Sequence, residues 1–253
     1  MNVTVLVKYV PEPQGTPTLG PDNLLVRTGV DGALDPGDEY GLELALQLTE
    51  ASGGAVHVVS MGPDEASSAV QRALAMGAAT GMLIADPALR GADALVTARV
   101  LAAAIARTPA DLIVAGAEST DGYTGTLPVT VAEFLGIDSV TAVRKLEADG
   151  TRFRIERQTE AGYDVVSCPS PAMVTVTAGA TEPRYPSLKG IMSAKSKPVQ
   201  RLSAADLGVS DLASSQSVTG VTDAPSKSGG EVLAAGDEAI GKIADLLAEA
   251  GVL

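Results

Sequence analysis

Residues 111–135 have the residue types and spacing of a phosphate-binding loop between a strand and a helix. The apolar run 111–115 predicts a buried strand that ends at Gly116. The small and hydroxyl-bearing residues of the loop that follows are Ser119, Thr120, Asp121, Gly122, Thr124, Gly125 and Thr126. Pro128 suits the first turn of a helix that ends near Leu135. Free N–H groups and the positive end of that helix could hold a phosphate, although a plain strand-to-helix turn has the same composition.

Other side chains with reactive groups are few. The single histidine, His57, lies inside a predicted strand, which favours a packed, hydrogen-bonded residue over a catalytic one. The single cysteine, Cys168, precedes Pro169 in a predicted loop, and it can form neither an internal disulfide nor a cysteine metal site. Asp121 could act as a general base, but a solvated carboxylate or a ribose hydroxyl acceptor is the favoured interpretation. We therefore expect no catalytic residue and no metal site.

Composition limits the partners and the compartment. The 253 residues carry a net charge of −13, which argues against binding nucleic acid or an anionic membrane surface. No apolar run reaches membrane-spanning length, and the N-terminus enters a strand without the features of a signal peptide. We expect a soluble protein of the bacterial cytoplasm that does not insert into a membrane.

The periodicity of residues 1–179 predicts an α/β domain of the flavodoxin or Rossmann type, and the loop described above makes nucleotide binding the expected role of this domain. Short apolar strands alternate with helices, which indicates a mostly parallel twisted sheet with helices on both faces. A further short strand is expected at 24–27. Between about 140 and 167, strands joined by Asp-Gly and Ala-Gly turns predict an antiparallel hairpin excursion with an exposed polar face. Hydrophobic residues make up 45% of the chain but aromatic residues only 3%, which is typical of a sheet covered by helices.

The last third of the chain has a different character. Residues 180–236 are rich in Ser, Gly, Pro and Lys, and predict a loop and extended arm that is disordered or lies on a partner. Residues 237–253 contain an amphipathic helix whose apolar stripe is Ala239, Ile240, Ile243, Leu246 and Leu247. That helix could dock on another subunit or return to its own sheet.

The run 182–197, EPRYPSLKGIMSAKSK, resembles the recognition loop of the electron transfer flavoprotein β (small) subunit family. That loop reads E-P-R-Y/F-x-S/T-L/F-x-x-I-M-x-A-K-K-K. The resemblance covers nearly the whole chain, and its supporting runs are 5–11, 35–36, 60–63, 73–78, 114–116 and 119–122.

The resemblance implies a heterodimer with an α subunit, which holds most of the contacts to one FAD, while one structural AMP is buried in the β subunit. It also implies electron transfer from flavin dehydrogenases, such as acyl-CoA dehydrogenases, to a membrane quinone oxidoreductase. In the family, a leucine of the recognition loop inserts into an apolar pocket of the dehydrogenase, and motif matching assigns that role to Leu188. The partner-binding residues implied in this way are Tyr185, Leu188, Ile191, Met192, Lys195 and Lys197.

The cofactor-binding residues implied by the resemblance are Leu6, Asp35, Pro36, Gly37, Asp38, Met61, Gly116, Ser119, Asp121, Gly122, Tyr123, Thr124, Gly125, Thr126 and Leu127. Two departures concern the nucleotide. Met61 stands where many members have Cys, and the Asn and Gln of the common D-D-x-x-N-Q-T-G loop are missing. Backbone N–H groups with Thr124 or Thr126 would then hold the phosphate.

Three other functions remain open from the sequence. Some family members bind a second FAD in place of AMP and bifurcate electrons. A free-standing ATP-binding α/β protein would need a γ-phosphate site, and no P-loop run is present. An NAD-dependent dehydrogenase is disfavoured because G-x-G-x-x-G is absent.

Overall fold

The computed structural model describes residues 1–12, 17–222, 224 and 230–252, and divides into two units, Met1–Thr219 and Gly220–Leu253. The strands in chain order are β1 (Asn2–Leu6), β2 (Tyr9–Pro11), β3 (Gly32–Leu34), β4 (Ala55–Met61), β5 (Thr80–Ile84), β6 (Leu112–Gly116), β7 (Asp138–Asp149), β8 (Arg152–Thr159), β9 (Gly162–Pro169), β10 (Ala172–Val176) and β11 (Val199–Leu202). The α-helices are α1 (Pro36–Ser52), α2 (Ser67–Met76), α3 (Ala94–Ile105), α4 (Leu127–Leu135), α5 (Leu188–Ala194) and α6 (Asp237–Glu249).

One sheet organises the first unit. Among the described residues it has nine strands in the order β11-β5-β4-β1-β6-β10-β7-β8-β9. Neighbouring strands from β11 to β7 pair in parallel, whereas β8 pairs antiparallel with both β7 and β9. The α/β fold with a mostly parallel sheet and an antiparallel excursion is therefore confirmed. A separate antiparallel pair of short strands, β2 with β3, lies outside this sheet.

Helices cover both faces of the parallel part of the sheet. On one face, Leu42 of α1 and Leu74 of α2 belong to the same apolar cluster as Val5 of β1. On the other face, Val100 of α3 and Val131 of α4 cluster with buried residues of the central strands. Successive residues of a strand point to opposite faces, so the continuous apolar strands expected from the sequence feed both clusters.

The hairpin excursion buries one face and exposes the other. Phe153 and Ile155 of β8 are buried, while Arg152 and Arg154 between and beside them are exposed, as the alternating pattern predicts. Cys168 was expected in a loop, but it lies in β9 and is buried, because β9 extends through Pro169 to pair with β8.

The short strand expected at 24–27 is wrong. This segment makes only an isolated bridge between Leu19 and Leu25 and otherwise follows an irregular path. Its apolar residues Leu24 and Val26 are half-buried rather than part of the sheet.

The predicted arm contains regular structure in part. Helix α5 lies at its start, and β11 adds to the edge of the main sheet beside β5. Residues 223 and 225–229 of the arm, and residue 253 after the last helix, lie outside the described residues. In the second unit, α6 presents the apolar residues Ile240, Ile243 and Leu246 with at least half of each side chain exposed. None of the helices in the described ranges combines the length and apolarity needed to cross a bilayer.

Candidate functional site

The site lies where the order of the parallel strands reverses. From β1 the chain builds outward through β4 and β5, and then returns to place β6 on the other side of β1. Such a reversal leaves a crevice beyond the carboxyl ends of the two central strands, where open α/β sheets bind ligands. Lys8 follows β1 and residues 117–126 follow β6, so both reach this crevice.

A buried carboxylate connects the crevice to two cations. Asp121 Oδ1 lies 2.6 Å from Lys8 Nζ, and Asp121 Oδ2 lies 2.7 Å from an Arg27 guanidinium nitrogen. Lys8 Nζ also donates to Ser119 Oγ at 3.0 Å. Burial alone would raise the pKa of Asp121, but Lys8 and Arg27 outweigh it and hold that pKa below its ordinary value. Asp121 is therefore ionised at neutral pH and positions two partly exposed cations at the crevice.

The start of α1 holds the loop after β6. Asp35 is the N-cap of α1 and accepts a hydrogen bond from Gly37 N at 2.8 Å. Its other oxygen accepts from Thr120 N at 2.7 Å and from Thr120 Oγ1 at 2.9 Å. Pro36 occupies the first turn, where its missing N–H costs nothing. The Asp35 carboxylate thus occupies the N-terminal end of α1 and accepts a hydrogen bond from its first turn. An anionic ligand would therefore have to bind elsewhere in the crevice.

Asp38 fastens α1 to the ends of both central strands. Its oxygens accept from Lys8 N at 2.7 Å and Gly116 N at 3.2 Å. Burial, and next the neighbouring charge of Asp35, raise the pKa of Asp38 to about 7. Gly116 is required here, because a Cβ at this position would lie 2.8 Å from Asp38 Oδ1.

The glycine-rich loop leads to a helix start without a side-chain cap. Thr126 precedes α4, and its side chain makes no capping hydrogen bond. Gly125 has φ +67°, which suits glycine, and Tyr123 has φ +47° with 68% of its surface exposed. A Cβ at Gly122 would lie 3.1 Å from Ser119 Oγ and 3.5 Å from Lys8 Nζ, so this part of the loop approaches the Lys8 ammonium closely. The loop, Lys8 and Arg27 together can bind an anionic group.

The remaining predicted cofactor residues lie near the same strand ends. Leu6 is buried at the end of β1, and Met61 is half-buried at the end of β4. Leu6 belongs to the apolar cluster on the α3 and α4 face, and Met61 packs against that cluster. Thr124 and Leu127 complete the predicted segment, at the loop and at the first residue of α4.

Lys8 and Arg27 are absent from the predicted cofactor residues. The position of Lys8 after β1 was a usable signal, because ligands gather at carboxyl ends of parallel strands. Arg27 gave no signal, since it lies 94 positions from Asp121 in an irregular segment.

His57 is a packed residue of β4. Its Nδ1 lies 2.7 Å from Thr80 Oγ1 on the neighbouring strand, and burial lowers its pKa. Among the described residues, no group of three or more His, Cys, Asp or Glu side chains could hold a metal ion.

A second surface surrounds α5. Tyr185 and Leu188 are 88% and 83% exposed, and Met192 and Ile191 are exposed as well. Ser187 caps this short helix by accepting from Gly190 N at 3.0 Å. We call the segment of residues 185–195 the recognition segment. An open groove of about 600 Å³ lies beside it, between α2 and α5, with Lys195 in its lining.

Lys197 contacts the protein itself. Its Nζ donates to Leu74 O at 2.8 Å and to Ala78 O at 2.6 Å, at the end of α2. Burial lowers the pKa of this ammonium. Carbonyls at a helix C-terminus favour a cation, so Lys197 stabilises α2 and fixes the chain just after α5.

Comparison with known proteins places the chain in a family. A model of the electron transfer flavoprotein domain matches residues 22–207. The electron transfer flavoprotein subunit beta of Thermoanaerobacterium thermosaccharolyticum is 37% identical over 227 residues, which are 90% of this chain and 86% of the relative. The chain belongs to the electron transfer flavoprotein β-subunit family.

Two other relatives of the β-subunit family show its range. The electron transfer flavoprotein subunit beta of Mycobacterium tuberculosis is 38% identical over 242 residues, 91% of each chain. The caffeyl-CoA reductase-Etf complex subunit CarD of Acetobacterium woodii is 33% identical over 240 residues, 92% of each chain. Membership of the family makes this β subunit a component of an electron-transport flavoprotein, with an α subunit as partner and a flavin associated at the level of the heterodimer.

Proposed function

We propose that this β subunit and its α subunit form a cytoplasmic shuttle that takes electrons from flavin dehydrogenases, such as acyl-CoA dehydrogenases, and passes them to a membrane quinone oxidoreductase. The exposure of Leu188 at the start of α5, within the recognition segment, carries this proposal. Because the apolar side chain of Leu188 is 83% exposed, its burial in a pocket of a partner would contribute a large share of the binding free energy. The α subunit supplies most contacts to the one FAD, and this chain contributes no catalytic residue.

The crevice is proposed to hold AMP as a structural nucleotide. Two observations support an anionic ligand there. Lys8 and Arg27 stand at the crevice with about a third of each side chain exposed. The start of α4 has no side-chain cap, and the N–H groups of such a helix start, apart from the Pro128 position, can bind a phosphate. We assign the phosphate to Lys8, Arg27 and the loop of residues 116–127. The remaining proposed contacts of the nucleotide are Leu6, Asp35–Asp38 and Met61.

In this arrangement the chain's own residues bind and orient. Asp121 keeps Lys8 and Arg27 in place, and Asp35 and Asp38 fix the start of α1 against the ends of the central strands. The flavin, when bound between the subunits, supplies the electron-accepting and electron-donating chemistry. A structural nucleotide that binds only the folded pocket stabilises it in proportion to the logarithm of its free concentration over Kd.

A second candidate function is electron bifurcation, with a second FAD in the crevice instead of AMP. The relative from Acetobacterium woodii favours it, because its name places it in a caffeyl-CoA reductase complex and its similarity to this chain covers 92% of both. A free-standing ATP-binding protein is the weaker alternative, and turnover of ATP by the purified chain would revive it.

The nucleotide content of the complex separates these candidates. The chain is co-expressed with its α subunit, and the purified complex is denatured so that released nucleotides can be identified and counted. One FAD and one AMP per heterodimer is the expected result. Two FAD without AMP would replace the proposal by a bifurcating flavoprotein, and the crevice would then be a redox site.

Replacing the exposed leucine tests the docking surface. Leu188→Ala is expected to weaken electron uptake from an acyl-CoA dehydrogenase by about tenfold or more, since a buried leucine anchor contributes about 2 kcal/mol or more. Heterodimer assembly and flavin content should stay unchanged, because the proposal assigns Leu188 to the dehydrogenase contact and not to the contact with the α subunit. Val165→Ala, an exposed residue on β9, is the control. Unchanged uptake in Leu188→Ala would show that the anchor assignment is wrong.

A further inference from the structure

The chain before the recognition segment lies along α1. Thr181 Oγ1 donates to Tyr40 O at 2.9 Å, and Arg184 reaches two acidic residues further along the same helix, Glu43 and Glu50. These two glutamates are seven positions apart, so they lie on one face of α1. Residues 181–184 are therefore attached to the helix whose first turn forms the crevice.

Arg184 binds Glu43 through both carboxylate oxygens. Arg184 Nε donates to Oε2 at 2.7 Å and a terminal guanidinium nitrogen donates to Oε1 at 3.0 Å. The second terminal nitrogen bonds to Glu50, and a further bond reaches Glu50 Oε2 at 3.1 Å. Paired, parallel bonds of this kind hold a guanidinium in one orientation, which a lysine at the same position could not reproduce.

Burial makes Glu43 dependent on Arg184. Glu43 is 3% exposed, and its other side-chain donor is Gln47 Nε2 at 2.8 Å from Oε1. Burial would raise the pKa of Glu43, but hydrogen bonds from Arg184 and then Gln47 reverse this and lower it. Removing the cation from a buried ion pair leaves an unpaired buried carboxylate, and this lowers the stability of the fold far more than breaking an exposed ion pair does. Arg184 thus has a defined place on α1 as long as Glu43 is ionised.

The other end of the recognition segment is also fixed. Lys197 binds the carbonyls at the end of α2, as described above. Between the two ends, α5 packs closely on α2, since a Cβ at Gly190 would overlap the carbonyl oxygen of Ala75. Between these attachments the side chains of Leu188 and Met192 are exposed to solvent.

We propose that Arg184, through Glu43 and Glu50, is a positioning residue that holds the recognition segment ready for docking. This inference rests on the proposed docking function. A segment ordered in advance loses less conformational freedom on binding, so the attachment raises affinity without touching the partner. Arg184 is four residues before Leu188, the first residue of α5. Loss of its bonds to α1 is therefore expected to increase the mobility of the start of α5.

The test uses the heterodimer with four β-chain variants. Arg184→Ala removes the attachment, and Arg184→Lys keeps one charge without the paired geometry. The double variant Arg184→Ala/Glu43→Gln removes the attachment without leaving a buried unpaired carboxylate, so it guards against misfolding. Arg201→Ala is the matched control, because Arg201 pairs with Asp64 in an exposed ion pair on β11.

Two measurements are made on each variant. Limited trypsin digestion followed by mass spectrometry gives the cleavage rate after Lys189, and electron uptake from an acyl-CoA dehydrogenase gives KM and kcat for the flavoprotein. In Arg184→Ala and in the double variant, cleavage is expected to be about tenfold faster and KM about tenfold higher, with kcat within about twofold. Arg184→Lys should lie between these variants and the wild type, and Arg201→Ala should match the wild type.

Failure of this inference is distinguishable from failure of the docking function. An unchanged cleavage rate in the double variant would overturn the attachment. Faster cleavage with unchanged KM, in a protein whose Leu188→Ala variant does show a raised KM, would overturn the positioning role. If Leu188→Ala also leaves KM unchanged, the docking function itself is wrong.

Discussion

Asp38 places a carboxyl group with a raised pKa between the ends of the two central strands. Its pKa is raised from 3.8 to about 7 by burial and then by Asp35, so the folded protein keeps a proton that the unfolded chain has released between these pH values. The stability that Asp38 contributes is therefore fully present below about pH 4 and lost as the pH rises to about 7.

Asp38→Asn should abolish this dependence. From pH 5 to pH 7, the thermal midpoint of the wild-type heterodimer is expected to fall relative to that of the variant. Above pH 7, the difference between the two midpoints is expected to stay constant. Thermal denaturation followed by circular dichroism at several pH values measures it. A difference that stays constant over this range would show that Asp38 is already ionised throughout.

At the scale of single residues, the sequence could predict part of the crevice loop but not its long-range contacts. Gly116, Ser119 and Asp121 could be predicted because a glycine- and hydroxyl-rich loop between a strand and a helix is a local pattern. The pairing of Asp121 with Arg27 could not be predicted, because it joins two segments 94 positions apart. The hydrogen bonds of Lys197 to the end of α2 could not be predicted either, because the sequence does not distinguish an exposed lysine from one that caps a helix.

The hairpin β7–β9 depends on a small apolar face. Phe153 is 2% exposed and is the largest of the fully buried side chains in the part of the chain that the structure describes. Phe153→Ala should cost about 3–5 kcal/mol of stability and lower the thermal midpoint of the heterodimer. Val165→Ala on the adjacent strand β9, where Val165 is 54% exposed, should stay within about 0.5 kcal/mol. Equal midpoints for the two variants would contradict the assignment of this face to the core.

At the scale of elements, alternation of strands and helices was sufficient to predict the parallel sheet. The order of strands was not predictable in the same way. Strand β10 lies between β6 and β7, and β11 lies at the opposite edge of the sheet. Several strands have similar apolar sequences, so tertiary packing, and not the local sequence, determines which strands pair. The sequence therefore predicts the kind of sheet better than its order.

At the scale of the whole molecule, α6 is proposed to dock on the α subunit. Its apolar stripe includes Ile240 and Ile243, which are 68% and 50% exposed. Burying one such side chain contributes about 1.5–3 kcal/mol, so Ile243→Asp should weaken heterodimer assembly by at least about tenfold. Ala248→Asp, which adds the same charge on another face of the helix, should assemble normally. Gel filtration of the co-expressed subunits measures the assembled fraction, and equal fractions for both variants would exclude this role.

The central position of β10 also governs how the chain folds as it leaves the ribosome. Strand β10 is hydrogen-bonded to β6 on one side and β7 on the other, although both are made before it. Until residue 176 has emerged, β6 presents an unpaired edge and the hairpin β7–β9 has no parallel sheet to join. Unpaired edges are the surfaces through which nascent chains aggregate, so the interval between the synthesis of β6 and β10 exposes this chain to aggregation at the middle of its sheet.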